Sequence, residues 1–503
     1  MKLVNIGKIV ANITTLIFGI TLVGGNIALA NEGAITSFLG QSNQVREDNG
    51  GDGENIYYFS DYTSISDLQD EAKEVSSRTT QEGAVLLKNK GNALPLTKDA
   101  KVNLYSSSSV NFIHSGGGSS YAKKSEYVSL KDGLTNNGFK VNEDLYSWYA
   151  NNKQYFNNHT SSTSSDAAHY EIKDAKWDQI DKNAREKEAE AGIFVLSRYG
   201  TEASDLKFTN SSGTGYTNGN YLELSPSEKD VLKNLKALKA AKKISKIVVL
   251  LNSVNQVQCD YIDDPEYEID AVLWVGIGGS NATDGIAKVL NGTANPSGKL
   301  TDTYYKKHYF NPVYANFGNY KNQGTVISTA NSGKSNSYVV YQEGIYNGYR
   351  YTETRYEDTI LKDKNNVGTF NYKDAVSYPF GYGLSYTTFS YSDFKAIKND
   401  DDTYELSVKV TNTGKIAGKE GVDFYIQKPY TTYDVTNGIE KSAIDLVQYT
   451  KTSLLKPGDT ETVSVKVNGD VFTSYDSHNA KTYIVDAGDY YFGRWKRCSW
   501  CNK

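Results

Sequence analysis

The chain has 503 residues and a formal net charge of -5, with no basic stripe, so a nucleic-acid partner is not expected. Its length exceeds what one compact core usually holds, which points to more than one domain. Three cysteines, Cys259, Cys498 and Cys501, are too few and too unevenly placed for a disulfide framework; one C-x-x-C supplies half of a zinc site, so no metal is expected. At the N-terminus, Lys2 and Lys8 precede an uncharged run from Ile9 to Ala30 that closes on Ala28-Leu-Ala30. Residues 1–30 read as a secretory signal, or as an uncleaved membrane anchor over 9–30. Both readings place the remainder outside the cytoplasm, extracellular or at the cell surface, with membrane contact only through this segment. Residues 31–65 are polar, carry Gly50-Gly-Asp-Gly53 and read as a linker.

Residues 66–390 alternate helical and strand-like patterns. A helix is expected from Ser66 to Ser77, followed by the apolar segment Glu82-Gly-Ala-Val-Leu-Leu-Lys-Asn-Lys-Gly-Asn-Ala-Leu-Pro-Leu96. A short strand, Lys101–Tyr105, runs into Ser106–Ser109 and His114-Ser-Gly-Gly-Gly-Ser-Ser120. Glycines at a strand end let backbone approach a ligand, so His114, Gly116, Gly117 and Gly118 are candidate binding positions; a surface loop is the competing reading. The apolar run Ile193–Leu196 breaks into polar residues, with Glu202 and Asp205 just beyond. In α/β sheets the rim at the strands' carboxyl ends binds ligands, which makes Glu202 a candidate proton donor. The competing readings are a solvated loop carboxylate for Glu202 and a cap for Asp205.

Ser225-Pro-Ser-Glu228 is a capping box with Pro at the first helical position, and Val231, Leu232, Leu235 and Leu238 follow at helical spacing. Ile247–Asn252 and Ala271–Gly276 are unbroken apolar runs of the kind found in parallel strands covered on both faces. The predicted fold is therefore α/β, with a largely parallel sheet flanked by helices. Two nucleotide-like patterns fail. Gly276-Ile-Gly-Gly279 lacks its third glycine, and Gly292-Thr-Ala-Asn-Pro-Ser-Gly-Lys299 is too long for a phosphate loop and follows a helix. No cofactor is expected.

From Tyr391 the pattern changes. Tyr404–Val410, Val422–Ile426 and Thr462–Val467 alternate apolar and polar residues, separated by turns at Asn412-Thr-Gly414 and Lys456-Pro-Gly-Asp459. Residues 391–492 thus read as an antiparallel β-sandwich. The tail 493–503, crowded with Cys and Trp, fits neither domain.

Several motifs in order give the chain a family likeness. They are Glu82–Asn89 with Ala93-Leu-Pro-Leu96, Ser115-Gly-Gly-Gly-Ser119, Trp274-Val-Gly-Ile-Gly-Gly279, Asn295-Pro-Ser-Gly-Lys-Leu300, Tyr341–Tyr351 and Tyr378-Pro-Phe-Gly-Tyr-Gly-Leu-Ser-Tyr386. Leu455-Lys-Pro-Gly458 and Asp486–Phe492 extend the series. Over residues 70–492 the chain resembles family 3 glycoside hydrolases, the β-glucosidase group, with a fibronectin type III-like domain at its end. The resemblance implies hydrolysis of β-glucosides or related β-glycosides by a retaining mechanism, with an oligosaccharide or aryl β-glycoside as substrate. An Asp nucleophile would come from a (β/α)8 barrel and an acid/base Glu from the present domain.

Leu196-Ser-Arg-Tyr-Gly-Thr-Glu-Ala-Ser-Asp-Leu206 is similar to the family's Ile-Ser-Arg-x-x-Gly-Glu-Gly-x-Asp-Arg, placing Glu202 at the acid/base position and Arg198 and Asp205 beside the substrate. Thr201, Ala203 and Leu206 replace Gly, Gly and Arg. No barrel-length segment precedes Glu82, so the chain resembles a truncated, circularly permuted member whose barrel would lie downstream or in a separate domain. Ser60-Asp61-Tyr62 imitates the nucleophile motif without a barrel around it. A different class of function also fits: a non-catalytic cell-surface carbohydrate-binding or scaffold protein that uses the sandwich and the 40 tyrosines.

Overall fold

The computed structural model describes residues 2–30, 61–62, 64–116, 127–156, 173–200, 221–316, 320–321, 337–338, 340–361 and 370–494. The chain forms two units, Met1–Leu68 and Gln69–Lys503. The first contains helix α1 (Lys2–Ala30), in which Val10–Ile27 is long and apolar enough to cross a membrane. Asp61 lies exposed in a bend.

The second unit opens on α2 (Ile65–Gly83), which begins near the boundary between the units and continues past the expected Ser77. The six-stranded sheet comprises β1 (Val85–Asn89), β2 (Lys101–Tyr105), β3 (Lys140–Val141), β4 (Ala189–Arg198), β5 (Ile244–Ser253) and β6 (Ala271–Trp274). Their order across the sheet is β1-β6-β5-β4-β2-β3. Only β1 runs antiparallel to its neighbour; the other four pairings are parallel. Helices α3 (Leu130–Asn136), α4 (Glu143–Asn151), α5 (Pro226–Ala240) and α6 (Ala282–Leu290) cover the two faces.

The pleat divides the core between those faces. Ile193, Val195, Val248 and Leu250 pack with Leu130 and Leu134 of α3 and with Ile286 and Val289 of α6. Phe194, Leu196, Val249 and Leu251 pack with Leu145 of α4 and with Leu232 and Leu235 of α5. All five residues Ile247–Leu251 are 0% exposed, which explains why β5 reads as a continuous apolar run. Helix α5 starts at the capping box: Glu228 N–H donates to Ser225 Oγ (3.2 Å), and Ser225 N–H donates to Glu228 Oε2 (2.7 Å).

Past α6 come β7 (Tyr304–Tyr305), α7 (Gly348–Leu361) and β8 (Val376–Tyr378), the last paired antiparallel with β7. From Phe389 onward, the described strands build two antiparallel three-stranded sheets and a small two-stranded ribbon. One contains β9 (Phe389–Lys398), β10 (Tyr404–Asn412) and β13 (Thr460–Val467). The other contains β11 (Gly421–Gln427), β12 (Asp445–Lys451) and β16 (Tyr491–Gly493), numbered after the small ribbon β14 (Ser474–Asp476) and β15 (Thr482–Ile484). Leu406, Val408 and Val410 alternate inward along β10 and meet Val422 and Phe424 of β11.

At the joint where the α/β domain meets the sandwich, backbone bonds tie that domain's last residues to its own interior, and side chains cross to the sandwich. Gly381 N–H donates to Leu300 O (2.7 Å), Leu300 N–H to Tyr382 O (2.8 Å), and Leu384 N–H to Leu86 O (2.8 Å). Asn295 accepts from Tyr386 N–H at 2.8 Å and Ser385 Oγ at 2.9 Å, while its amide donates to Ala417 O in the sandwich. Lys299–Glu420 (3.1 Å) and Lys419–Glu82 (2.7 Å) add ion pairs. Gly298 lies so close to this joint that a Cβ would overlap the carbonyl oxygens of Gly83 and Ala84. Gly298→Ala is expected to destabilise the protein by about 1–3 kcal/mol. Urea unfolding measures it; an unchanged midpoint would mean that the joint relaxes at no cost.

Candidate active site

The carboxyl rim of the sheet is organised by one amide. Asn252, 0% exposed near the end of β5, accepts at Oδ1 from Ile113 N–H and Ser197 Oγ, each at 2.8 Å. Its Nδ2 donates to Ile113 O (3.0 Å) and Gly276 O (2.8 Å). The loop after β2, the end of β4 and the segment after β6 are thereby held to one side chain. Gly276 presents its carbonyl from a left-handed φ of 56°, a conformation that costs glycine little. A second tie joins the same loops: Gly279 N–H donates to His114 O (3.0 Å), and His114 Nδ1 lies 3.2 Å from Gly279 O.

That contact puts the imidazole proton on Nδ1 and leaves the Nε2 lone pair free to accept. Burial pushes the His114 pKa below its ordinary value, so the ring is neutral at pH 7. Tyr127 stacks on the ring with centroids 4.5 Å apart, and its hydroxyl meets Ser115 Oγ at 2.7 Å. Ser115 and Tyr127 thus hold together the two ends of the segment 117–126.

At the end of β4, Arg198 is fully buried. Its Nη1 and Nη2 donate to Glu228 Oε1 and Oε2, both at 2.8 Å, in a fork against the capping-box carboxylate. Nε donates to Tyr221 O (2.6 Å) and Nη2 to Glu223 O (2.5 Å). The Tyr221 hydroxyl accepts from Tyr199 N–H (2.8 Å) and donates to Tyr199 O (3.1 Å). The described residues on either side of 201–220, Arg198–Tyr199 and Tyr221–Glu223, are thereby tied to each other in a fixed neck. Glu202 and Asp205 lie in 201–220, and Gly117 and Gly118 in 117–126; all four lie outside the described residues.

Beneath these loops, Asp174 accepts from Ser107 N–H (2.7 Å) and Ser106 Oγ (2.9 Å). Ser106 has a φ of 82°, strained for a non-glycine residue, and the carboxylate holds it there. Burial, and then the Glu228 charge, push the Asp174 pKa up to about 6.

The structure brings His114, Gly116 and Arg198 to one rim, with Arg198 turned inward to Glu228 rather than outward. Sequence reasoning missed Asn252, Tyr221, Asp174 and the second role of Glu228. Asn252 carried a usable signal, a polar amide ending an apolar strand at its carboxyl end. Asp174 carried none, since it follows an aperiodic stretch.

Glu228→Gln leaves the Arg198 charge buried without a counter-charge and is expected to cost about 3–5 kcal/mol. Arg198→Met added to it is expected to recover part of that loss, as a denaturation double-mutant cycle measures. Asp174 has a folded-state pKa above its ordinary 3.8, so its stabilisation is complete below 3.8 and is lost as pH rises to about 6. Asp174→Asn is expected to flatten that part of the stability profile, measured by unfolding at stepped pH.

Comparison with known proteins follows this geometry. The glycosyl hydrolase family 3 C-terminal domain profile matches residues 84–349. A beta-glucosidase of Ruminococcus albus is 31% identical over 436 residues, covering 83% of this chain and 39% of the relative. Beta-glucosidase A of Butyrivibrio fibrisolvens is 28% identical over 451 residues, with 83% and 49% covered. Among solved structures, beta-glucosidase 3B of Thermotoga neapolitana in complex with glucose superposes with a TM-score of 0.65 at 27% identity, covering 86% of this chain and 53% of that one. A beta-glucosidase of Paenibacillus barengoltzii gives 0.66 at 28%, with 85% and 42% covered. The chain spans half or less of the length of these two curated relatives. With more than half of its residues matched by the profile, the chain belongs to glycosyl hydrolase family 3.

Proposed function

We propose that this chain supplies the acid/base half of a retaining β-glycosidase acting on β-glucosides or related β-glycosides. Glu202 is the general acid and base. Its carboxyl protonates the leaving glycosidic oxygen, and as carboxylate it then takes a proton from the water that attacks the glycosyl intermediate. The nucleophilic carboxylate comes from a barrel domain outside these 503 residues and stands about 5 Å from Glu202 when the two halves meet. Arg198 acts as a positioning residue through the neck of the loop. His114, through Nε2, and the backbone of Gly116, Gly117 and Gly118 contact sugar hydroxyls, and Asp205 supplies the nearby negative charge that keeps Glu202 protonated. The apolar segment Val10–Ile27 supports export, as a signal or as an anchor.

The observation that carries this reading is the fixed neck. A buried guanidinium holds Glu228 and the carbonyls of Tyr221 and Glu223, so the residues flanking the stretch that bears Glu202 are fixed at the carboxyl end of the sheet, where α/β sheets bind ligands. The relatives above are beta-glucosidases by name, and the chain's place in their family supports the same substrate class.

The chain alone is expected to leave an aryl β-glucoside intact, and the chain joined to a family 3 barrel to hydrolyse it. Glu202→Gln is expected to lower that rate about 10²–10⁴-fold. Release of the aryl alcohol measures both. Turnover by the isolated chain that survives Glu202→Gln would overturn the assignment, and saccharide binding without turnover in the joined protein would favour a binding role.

A further inference from the structure

A cavity of about 500 Å³ lies between α7 and the β-sandwich, and no rim residue lines it. Its walls are tied across the domain boundary. Thr354 Oγ1 accepts from Ala443 N–H (2.9 Å), Gln427 Nε2 donates to Glu357 Oε1 (3.1 Å), and the Tyr346 hydroxyl accepts from Lys441 N–H (3.2 Å) and donates to Lys441 O (3.1 Å). Lys441 is itself fixed, 4% exposed, between Asp434 (2.8 Å) and Asp486 (2.5 Å). The cavity is therefore preformed, as small-molecule sites usually are.

The lining carries three cations and three carboxylates, but its cations are already engaged. Three cations border the cavity, and each has an acidic partner: Arg355 pairs with Asp358 (3.2 Å), Lys428 with Asp445 (3.4 Å) and Lys441 with Asp434 and Asp486. Glu343 and Glu357 have no cationic partner among the described residues. Glu343 Oε2 is buried with no hydrogen-bond donor among those residues, which is unfavourable for a charged group. Burial, and then the adjacent Asp358, push the Glu357 pKa above its ordinary value, the response of a carboxylate short of positive charge. Tyr346, Tyr351 and Tyr430 add aromatic rings to the same lining.

Two carboxylates without a cationic partner among the described residues, one of them with a donorless oxygen, suit a cation that carries N–H groups beside aromatic faces. An anion would meet uncompensated negative charge. A neutral polyol would satisfy Glu343 Oε2 but not the charge. A metal ion needs several convergent ligands, and no group of three His, Cys, Asp or Glu that could hold one occurs among the described residues. We propose that this cavity binds a small organic ammonium ion, with Glu343 and Glu357 accepting its N–H groups and the tyrosine rings covering its carbon body. The site rests on lining residues between Pro312 and Ala443 and is independent of the proposed catalytic role of Glu202.

Calorimetric titration of the full chain with putrescine tests this, with the corresponding uncharged diol as the matched control. Saturable putrescine binding is expected, with none for the diol, and Glu202→Gln is expected to leave it unchanged. Glu343→Gln with Glu357→Gln is expected to weaken it about tenfold or more. Should that double variant melt early, Glu343→Gln alone is expected to weaken binding about threefold or more. No saturable binding, equal binding of the diol, loss in Glu202→Gln, or unchanged affinity in the Glu343 variants would each overturn the proposal.

Discussion

The rim of this protein depends on the ion pair between Arg198 and Glu228. Both side chains are almost wholly excluded from water, at 0% and 1% exposed. Such a pair adds little net stability over an apolar pair of the same shape, but neither member can be lost without stranding the other. What it supplies is geometry. Glu228 begins α5 by accepting from Ser225 N–H, and the same carboxylate orients Arg198, whose remaining donors hold the carbonyls of Tyr221 and Glu223. Helix start, strand end and loop neck are therefore one structure. Its charge extends to Asp174, whose raised pKa owes part of its shift to Glu228.

Asn252 does for the other rim loops what Arg198 does for this one. An amide offers both donors and acceptors in one plane, so it can bind two carbonyls, an N–H and a hydroxyl without bringing a net charge into the core. The rim is thus a set of loops hung mainly from two buried polar side chains over a sheet of largely apolar strands. This is how a sheet edge presents loops rigidly enough for chemistry.

The most recognisable sequence signatures lie elsewhere. Asn295-Pro-Ser-Gly-Lys-Leu300 and Tyr378–Tyr386 meet at the joint between the α/β domain and the sandwich, where backbone hydrogen bonds and close glycine contacts leave little room for other side chains. Their distinctiveness reflects packing. The family relation they signal places the chain beside beta-glucosidases of which it spans half or less in the two curated cases.

The sequence alone determined the repeating local physics. Unbroken apolar runs marked β4, β5 and β6, because parallel strands are buried on both faces. The capping box at Ser225 marked the start of α5, because its partners are three residues apart. Alternation marked β10 and β13, because one face of each is wet, and less cleanly β11, where Tyr425 on the opposite face is also buried. The motif around Arg198 identified the rim through resemblance, while Glu202 and Asp205 fall outside the described residues. Tertiary structure alone decided what Arg198 touches, since Glu228 is thirty residues away. It also decided that Asn252 unites the loops, reaching Ile113 across 139 positions of chain, and that Glu343 and Glu357 share a cavity with the sandwich. Local patterns record which face of an element meets water. The partner of a buried charge or amide is set by how distant elements cross, which no local spacing encodes.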